Sequence, residues 1–138
     1  MNGKQRIVAA LNLQPVDRTP VWFMRQAGRH LPEYRKIAAE HNFWERCMDV
    51  DLCKTITLQP LERYQKIDAA IIFSDILTPL PSLGYDVEYG GGIRISDFNL
   101  DDVDDWINFS ARKHAPWAAD GLQAVGEEIG DTTARLGF

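Results

Sequence analysis

Two stretches of the chain are apolar without alternation, Val21 to Met24 and Ala69 to Phe73. A strand with one face in water alternates apolar and polar residues. An unbroken run therefore implies burial on both faces, as in a parallel sheet. The second run is read as a strand over Asp68 to Asp75, and Thr133 to Phe138 as a third strand. Between them, apolar positions recur at helical spacing. Asn2 and Gln5 have the spacing of a capping box, which predicts a short helix over 3–11 with Ile7, Ala10 and Leu11 on one face. Pro32 and Glu33 suit the first turn of a second helix running to about Glu40. Asn42 and Glu45 repeat the capping-box spacing before Phe43 to Met48. Asp49 can then cap a longer helix with Leu52, Ile56 and Leu58 or Gln59 inward. Pro60 has no amide donor and is expected to bend or end that helix, with Leu61 to Gln65 able to continue it by one more turn. Pro116 opens a last helix, ending near Gly130, with Trp117, Leu122, Val125 and Ile129 inward.

Asp86 to Tyr89 and Ile93 to Ser96 read as a hairpin around Gly90, Gly91 and Gly92. A triple glycine can also cradle phosphate, but no lysine–serine pair or long helix follows it, so the turn is preferred. Asn99 is placed to cap a short acidic helix reaching Trp106. Asp97, Asn99 and Asp101 imitate the opening of a calcium loop. Asp102 stands where that loop needs glycine, and Asn108 where it needs a bidentate glutamate, so the segment is read as a solvated acidic face.

The order strand, helices, strand, hairpin, helices, strand is a β/α series, which implies a parallel sheet. The expected fold is α/β, the beginning of a larger barrel or sheet such as a (β/α)8 barrel, with residues 1–138 as a single domain. A full barrel of this kind needs about 250 residues, so 138 are expected to form an incomplete one.

Composition narrows the partners. Hydrophobic residues make up 45% of the chain, enough for a packed core, and the formal net charge is -5, which argues against nucleic acid. Charge is uneven: five aspartates crowd residues 97–105, while Arg18 to Arg46 is locally basic. An acidic protein with one basic loop suits a small anionic ligand. No apolar run has the length of a secretory core or of the ~20 residues that span a bilayer, so neither a leader nor a membrane is expected. Cys47 and Cys53, six apart, match neither a redox pair nor a zinc knuckle; they are read as small residues on helix faces in a reducing, cytoplasmic setting. No histidine pair has metal-ligand spacing, so no metal is expected.

Candidate chemistry concentrates at the ends of the first two strands. Arg25 directly follows the first, and Asp75 closes the second. Functional residues of β/α barrels sit at the C-terminal ends of strands, so parallel strands would bring these two side chains to one rim. Arg25 and Arg29 are four apart and can grip carboxylates together if the turn between them is roughly helical. Gly28 permits a backbone closed to other residues, or close approach of a ligand. The plainer alternatives are that one arginine pairs with Glu33, that Asp75 caps the turn into Ile76 and Leu77, and that His30 is a surface or structural residue.

The run Pro20 to Tyr34, P-V-W-F-M-R-Q-A-G-R-H-L-P-E-Y, resembles the signature of the uroporphyrinogen decarboxylase family. Leu58-Gln59-Pro60-Leu61 and Asp68 to Leu77 are similar to later stretches of it, and Leu136-Gly137-Phe138 to the start of its next core strand. The resemblance implies a (β/α)8 barrel acting as a homodimer in haem biosynthesis. Its substrate would be uroporphyrinogen III, which loses four acetate carboxyls as carbon dioxide to give coproporphyrinogen III, with neither metal nor cofactor. It implies substrate binding by Arg25, Gln26, Ala27, Gly28 and Arg29, the arginines holding carboxylates. It also implies that Asp75 is the aspartate reaching the pyrrole nitrogens at the macrocycle's centre, with Asp75 and Arg25 catalytic. His30 stands where tyrosine or phenylalanine is more usual. The family's later tyrosine, serine and histidine have no counterpart in these 138 residues. Two alternatives accompany this reading: a truncated, non-catalytic tetrapyrrole-binding or dimerising fragment, and a corrinoid-linked methyltransferase on the same barrel. Such methyltransferases lack the arginine motif and use zinc ligands.

Overall fold

The computed structural model describes residues 1–23, 28–89, 91–96 and 115–137. The chain opens with helix α1 (Gly3–Leu11), whose Asn2 side chain accepts from the Gln5 amide while the Gln5 side chain caps Asn2 in return. Helices α2 (Pro32–Glu40), α3 (Phe43–Met48) and α4 (Val50–Arg63) follow, then strand β1 (Ala69–Ile71) and a short helix α5 (Pro79–Ser82). Strands β2 (Val87–Tyr89) and β3 (Ile93–Ile95), helix α6 (Pro116–Ile129) and strand β4 (Ala134–Leu136) complete it.

The capping predictions correspond to observed caps: Asn42 accepts from Glu45 N at 2.9 Å, and Asp49 from Leu52 N at 2.9 Å. Strand β4 lies parallel to β1, with Ala69, Ala70 and Ile71 opposite Ala134, Arg135 and Leu136. The hairpin forms as read, with Tyr89 opposite Ile93 and Val87 opposite Ile95. The acidic segment from Asp97 through Asn108, and the helix read there, lie outside the described residues.

Several expectations are corrected. Val21 to Phe23 form no strand, and Met24 lies outside the described residues. Val21 does meet the start of β1: its carbonyl accepts from Asp68 N at 2.8 Å. Its own amide is taken by the Asp68 side chain instead of a neighbouring carbonyl, which breaks the ladder there. The apolar face of α1 does not serve the core throughout, since Leu11 is 79% exposed; α1 turns its Gly3 and Arg6 face to β1. That approach is close enough that a Cβ on Gly3 would meet the Asp68 carbonyl oxygen at 2.6 Å.

Helix α4 does not end at Pro60 but continues to Arg63, within the further turn read over Leu61 to Gln65. Its buried face is Cys53, Ile56, Thr57, Gln59 and Pro60, with Leu52 only half-buried. The core gathers Leu31, Tyr34, Cys47, Cys53, Ile56, Ile72, Phe73 and Val125, so α2, α3, α4 and α6 close over one side of β1. Leu122 and Ile129 pack against it as expected, and Trp117 is half-buried.

Asp68 fastens the N-terminal end of β1. It is 1% exposed and accepts from Arg6 Nη1, Arg18 Nη1, Arg18 Nη2 and Val21 N. Arg6 also holds Asp17 through Nε at 2.6 Å and Nη2 at 2.8 Å. A buried carboxylate is tolerable when its lone pairs are filled by charged donors, as these are.

Candidate active site

Helix α4 holds the chain just before Asp75. Phe73 N donates to Thr57 Oγ1 at 2.9 Å, and Cys53 Sγ donates to Phe73 O at 3.3 Å. The Thr57 hydroxyl in turn donates to Cys53 O at 2.7 Å. Beyond this grip the backbone leaves the strand. Asp75 Oδ1 accepts from Leu77 N at 2.9 Å, an aspartate closing its own turn. Thr78 Oγ1 donates to Asp75 O at 2.5 Å, and its hydroxyl meets Ser74 Oγ at 2.8 Å. The turn-capping alternative for Asp75 is therefore realised. It uses one carboxylate oxygen, and the residue stays half-buried past the C-terminal end of β1.

Arg25, Gln26 and Ala27 lie outside the described residues. Gly28 is buried, with φ at +65°, and its carbonyl accepts from Leu31 N at 2.7 Å. A Cβ there would stand 2.8 Å from Leu31 Cδ1 and 3.3 Å from Pro60 Cγ. Turn geometry and packing thus both call for glycine. Arg29 is exposed and forms no ion pair with the described residues. Glu33 is paired with Arg63 instead, so the expected local partner of the arginine turn is engaged elsewhere. His30 is exposed, with Nε2 at 2.7 Å from the Tyr64 hydroxyl, as the surface reading had it.

Asp75 and Arg29 act on the same two neighbours. Burial pushes the Cys47 thiol up to about 12; Cys53 adds to this, Arg46 opposes it, and Asp75 and Arg29 act in turn with opposite signs. Burial likewise pushes the Tyr89 phenol well above its ordinary value. The Asp75 carboxylate reinforces that shift and Arg29 opposes it. Both charges therefore lie within electrostatic reach of Cys47 and of Tyr89. Burial also pushes the Cys53 thiol up to about 11, so both thiols stay protonated at neutral pH, as core residues.

Tyr89 was not singled out in the sequence. Its ring packs on Phe43 at 4.3 Å and on Trp44 at 5.7 Å between centroids, and its buried hydroxyl has no hydrogen-bond partner among the described residues. It also borders a cleft of about 510 Å³ that includes Asn42, Glu88 and Arg94. Arg46 was missed as well. It is 9% exposed, donates to Asn42 O and to the Tyr34 hydroxyl, and lies against the rings of Tyr34, Phe43 and Phe73. A four-residue spacing from Asn42 was the only hint of it. Among the described residues, no group of three or more His, Cys, Asp or Glu could hold a metal ion. None of the described helices is long and apolar enough to cross a membrane.

Comparison with known proteins places the chain. The family model described as uroporphyrinogen decarboxylase (URO-D) matches residues 2–138. Uroporphyrinogen decarboxylase of Pseudomonas paraeruginosa is 41% identical over 138 residues, covering 96% of this chain and 39% of the relative. That of Magnetococcus marinus is 50% identical over 93 residues, covering 67% of this chain and 26% of the relative. Among solved structures, a methyltransferase from Methanosarcina mazei superposes with a TM-score of 0.69 at 18% identity, over 98% of this chain and 41% of that one. Identity that low shows the fold alone. The chain thus spans about two fifths of the Pseudomonas relative's length. Its fold is α/β, a portion of a (β/α)8 barrel. The chain belongs to the uroporphyrinogen decarboxylase family.

Proposed function

We propose that this chain forms part of an enzyme that decarboxylates uroporphyrinogen III to coproporphyrinogen III, with its substrate cleft at the C-terminal end of β1. The single observation that carries the reading is that the uroporphyrinogen decarboxylase family model matches residues 2–138, the stretch that holds both Asp75 and the arginine motif. The substrate has eight carboxylates, and an arginine-bearing turn on a protein of net charge -5 gives them a local cationic surface. Arg25 and Arg29 bind those carboxylates, and Gln26, Ala27 and Gly28 belong to the same substrate-binding segment. Arginine suits this task because its planar fork matches a carboxylate in two bonds.

Asp75 is the reading's catalytic centre. Loss of carbon dioxide from a pyrrole acetate leaves an electron pair on the exocyclic carbon. Protonation of the pyrrole ring beforehand makes the ring an electron sink. The C–C bond then breaks into the ring, carbon dioxide departs, a proton added at the exocyclic carbon makes a methyl group, and loss of the proton first placed on the ring restores the neutral pyrrole. A carboxylate fixed beneath the pyrrole N–H groups stabilises the cationic ring, and preorganised charge of this kind is usually the largest catalytic term. The Leu77 amide and the Thr57–Phe73 grip hold Asp75 before substrate arrives. Arg25 is catalytic here by delivering a proton to a strongly basic site, directly or through water, although its pKa above ~12 makes it a poor general acid at neutral pH. The complete enzyme acts as a homodimer in the cytoplasm on this reading.

The test is fluorimetric. Uroporphyrinogen III is incubated with the purified protein bearing this chain, and the products are oxidised and separated. Coproporphyrin and its partly decarboxylated precursors are expected. Porphyrin binding without any decarboxylated product would instead favour the non-catalytic tetrapyrrole-binding reading.

A further inference from the structure

We propose that Tyr89 is a positioning residue for Asp75, its hydroxyl donating a hydrogen bond to the Asp75 carboxylate; this rests on the decarboxylase reading above. The hydroxyl is buried yet has no hydrogen-bond partner among the described residues, an expensive state for a polar group unless something is meant to fill it. Its surroundings point to Asp75. Phe43 packs on Tyr89 at 4.3 Å and on Phe73 at 5.8 Å between centroids, and Phe73 is two residues before Asp75. Leu77, two residues after Asp75, packs into the cluster of Leu80, Tyr85 and Val87 that Tyr89 also joins. The segment carrying Asp75 is thus bracketed on both sides by Tyr89's own neighbours.

The hairpin fixes the ring. Tyr89 is opposite Ile93 in the β2–β3 register, and Trp44 Nε1 ties Val87 O at 2.7 Å. The phenol therefore has little freedom to seek another acceptor. The Asp75 carboxylate also reinforces the effect of burial in suppressing the phenol's ionisation, as expected of a neutral donor beside an anion. Asp75 has one oxygen on Leu77 N, so a second donor would fix the carboxylate plane and keep it anionic beneath the pyrroles. The sequence alone hides this role, because a tyrosine at a hairpin end reads as packing.

Two measurements test it in the purified protein bearing this chain. The first follows the Tyr89 phenol by NMR with ring-labelled tyrosine, in wild type and in Asp75→Asn. The proposal predicts that Tyr89 ionises at lower pH in Asp75→Asn by about one unit or more. An unchanged Tyr89 titration overturns it. The second is the pH–rate profile of Tyr89→Phe, which keeps the ring packed on Phe43 and Trp44. Losing a donor to a required anion raises that anion's apparent pKa, so the acid limb moves to higher pH by about one unit. kcat falls about tenfold with KM little changed. An unmoved acid limb overturns the positioning role even where the rate falls, because a packing defect lowers the rate without shifting the profile. If wild type forms no decarboxylated product, the decarboxylase reading fails, and the phenol titration by itself decides whether Tyr89 serves Asp75.

Discussion

Arg6 and Asp68, 62 residues apart in sequence, form a buried ion pair at the N-terminal end of β1. Asp75 lies beyond the opposite end of the same strand. One short strand thus carries a structural carboxylate at its entrance and the candidate catalytic carboxylate past its exit. This division is usual in β/α barrels, where one rim serves stability and the other chemistry.

Asp68→Ala should cost about 3 kcal/mol of stability, because it leaves the Arg6 guanidinium buried without one of its anions and frees the Val21 amide. The midpoint of urea unfolding measures this. A change under about 0.5 kcal/mol would mean that the network is not formed in solution.

The same network predicts a pH dependence. The Arg6 guanidinium holds the Asp17 carboxyl well below the usual range, aided by the chain's amino terminus. Burial pushes Asp68 upward, but bonds from Arg18, the Val21 amide and Arg6 outweigh it and leave it lowered. A lowered folded-state pKa contributes stability above the unfolded value, about 3.9, and loses it as pH falls through the folded value. Asp17→Asn should therefore destabilise the protein at pH 7, and the gap from wild type should narrow progressively as pH falls below about 3.9. Urea midpoints across that range give the comparison, and a gap that widens on acidification contradicts the assignment.

Gly28→Ala should destabilise by about 2 kcal/mol, from a left-handed backbone and a Cβ 2.8 Å from Leu31 Cδ1. The strain sits directly before Arg29, so KM should rise along with the loss of thermal stability. Calorimetry and steady-state kinetics on one preparation separate the two effects.

Cys47 and Cys53 should resist alkylation at pH 8 in the native state. Thiols pushed up to about 12 and about 11 hold little thiolate there, whereas a free cysteine near 8.5 holds a substantial fraction. Modification should be slower than in denaturant by on the order of 100-fold or more. Rapid native-state labelling of either thiol would show that the α3–α4 core opens readily.

What the sequence disclosed was set by how local each feature is. The caps at Asn2, Asn42 and Asp49 depend on neighbours three residues away, so the helix starts were legible. The unbroken apolar run gave β1, and the glycines gave the hairpin. The face of α1 was misread because a buried arginine, answered by Asp17 and Asp68, outweighed the apolar set containing Leu11. The helix through Pro60 was likewise decided by tertiary packing, since that proline is fully buried. In the candidate site, Asp75 and the arginine turn stood out because they follow apolar runs. Tyr89 did not, because its relation to Asp75 exists only once the hairpin packs over Phe43.

Asp75→Ala tests the central claim most directly, assayed as coproporphyrin formed from uroporphyrinogen III by the purified protein bearing this chain. Turnover should fall by on the order of 100-fold or more while the folded-state circular dichroism is retained, and Arg25→Ala should fall comparably. Near-normal turnover in Asp75→Ala, on a protein that is active before substitution, would contradict the account.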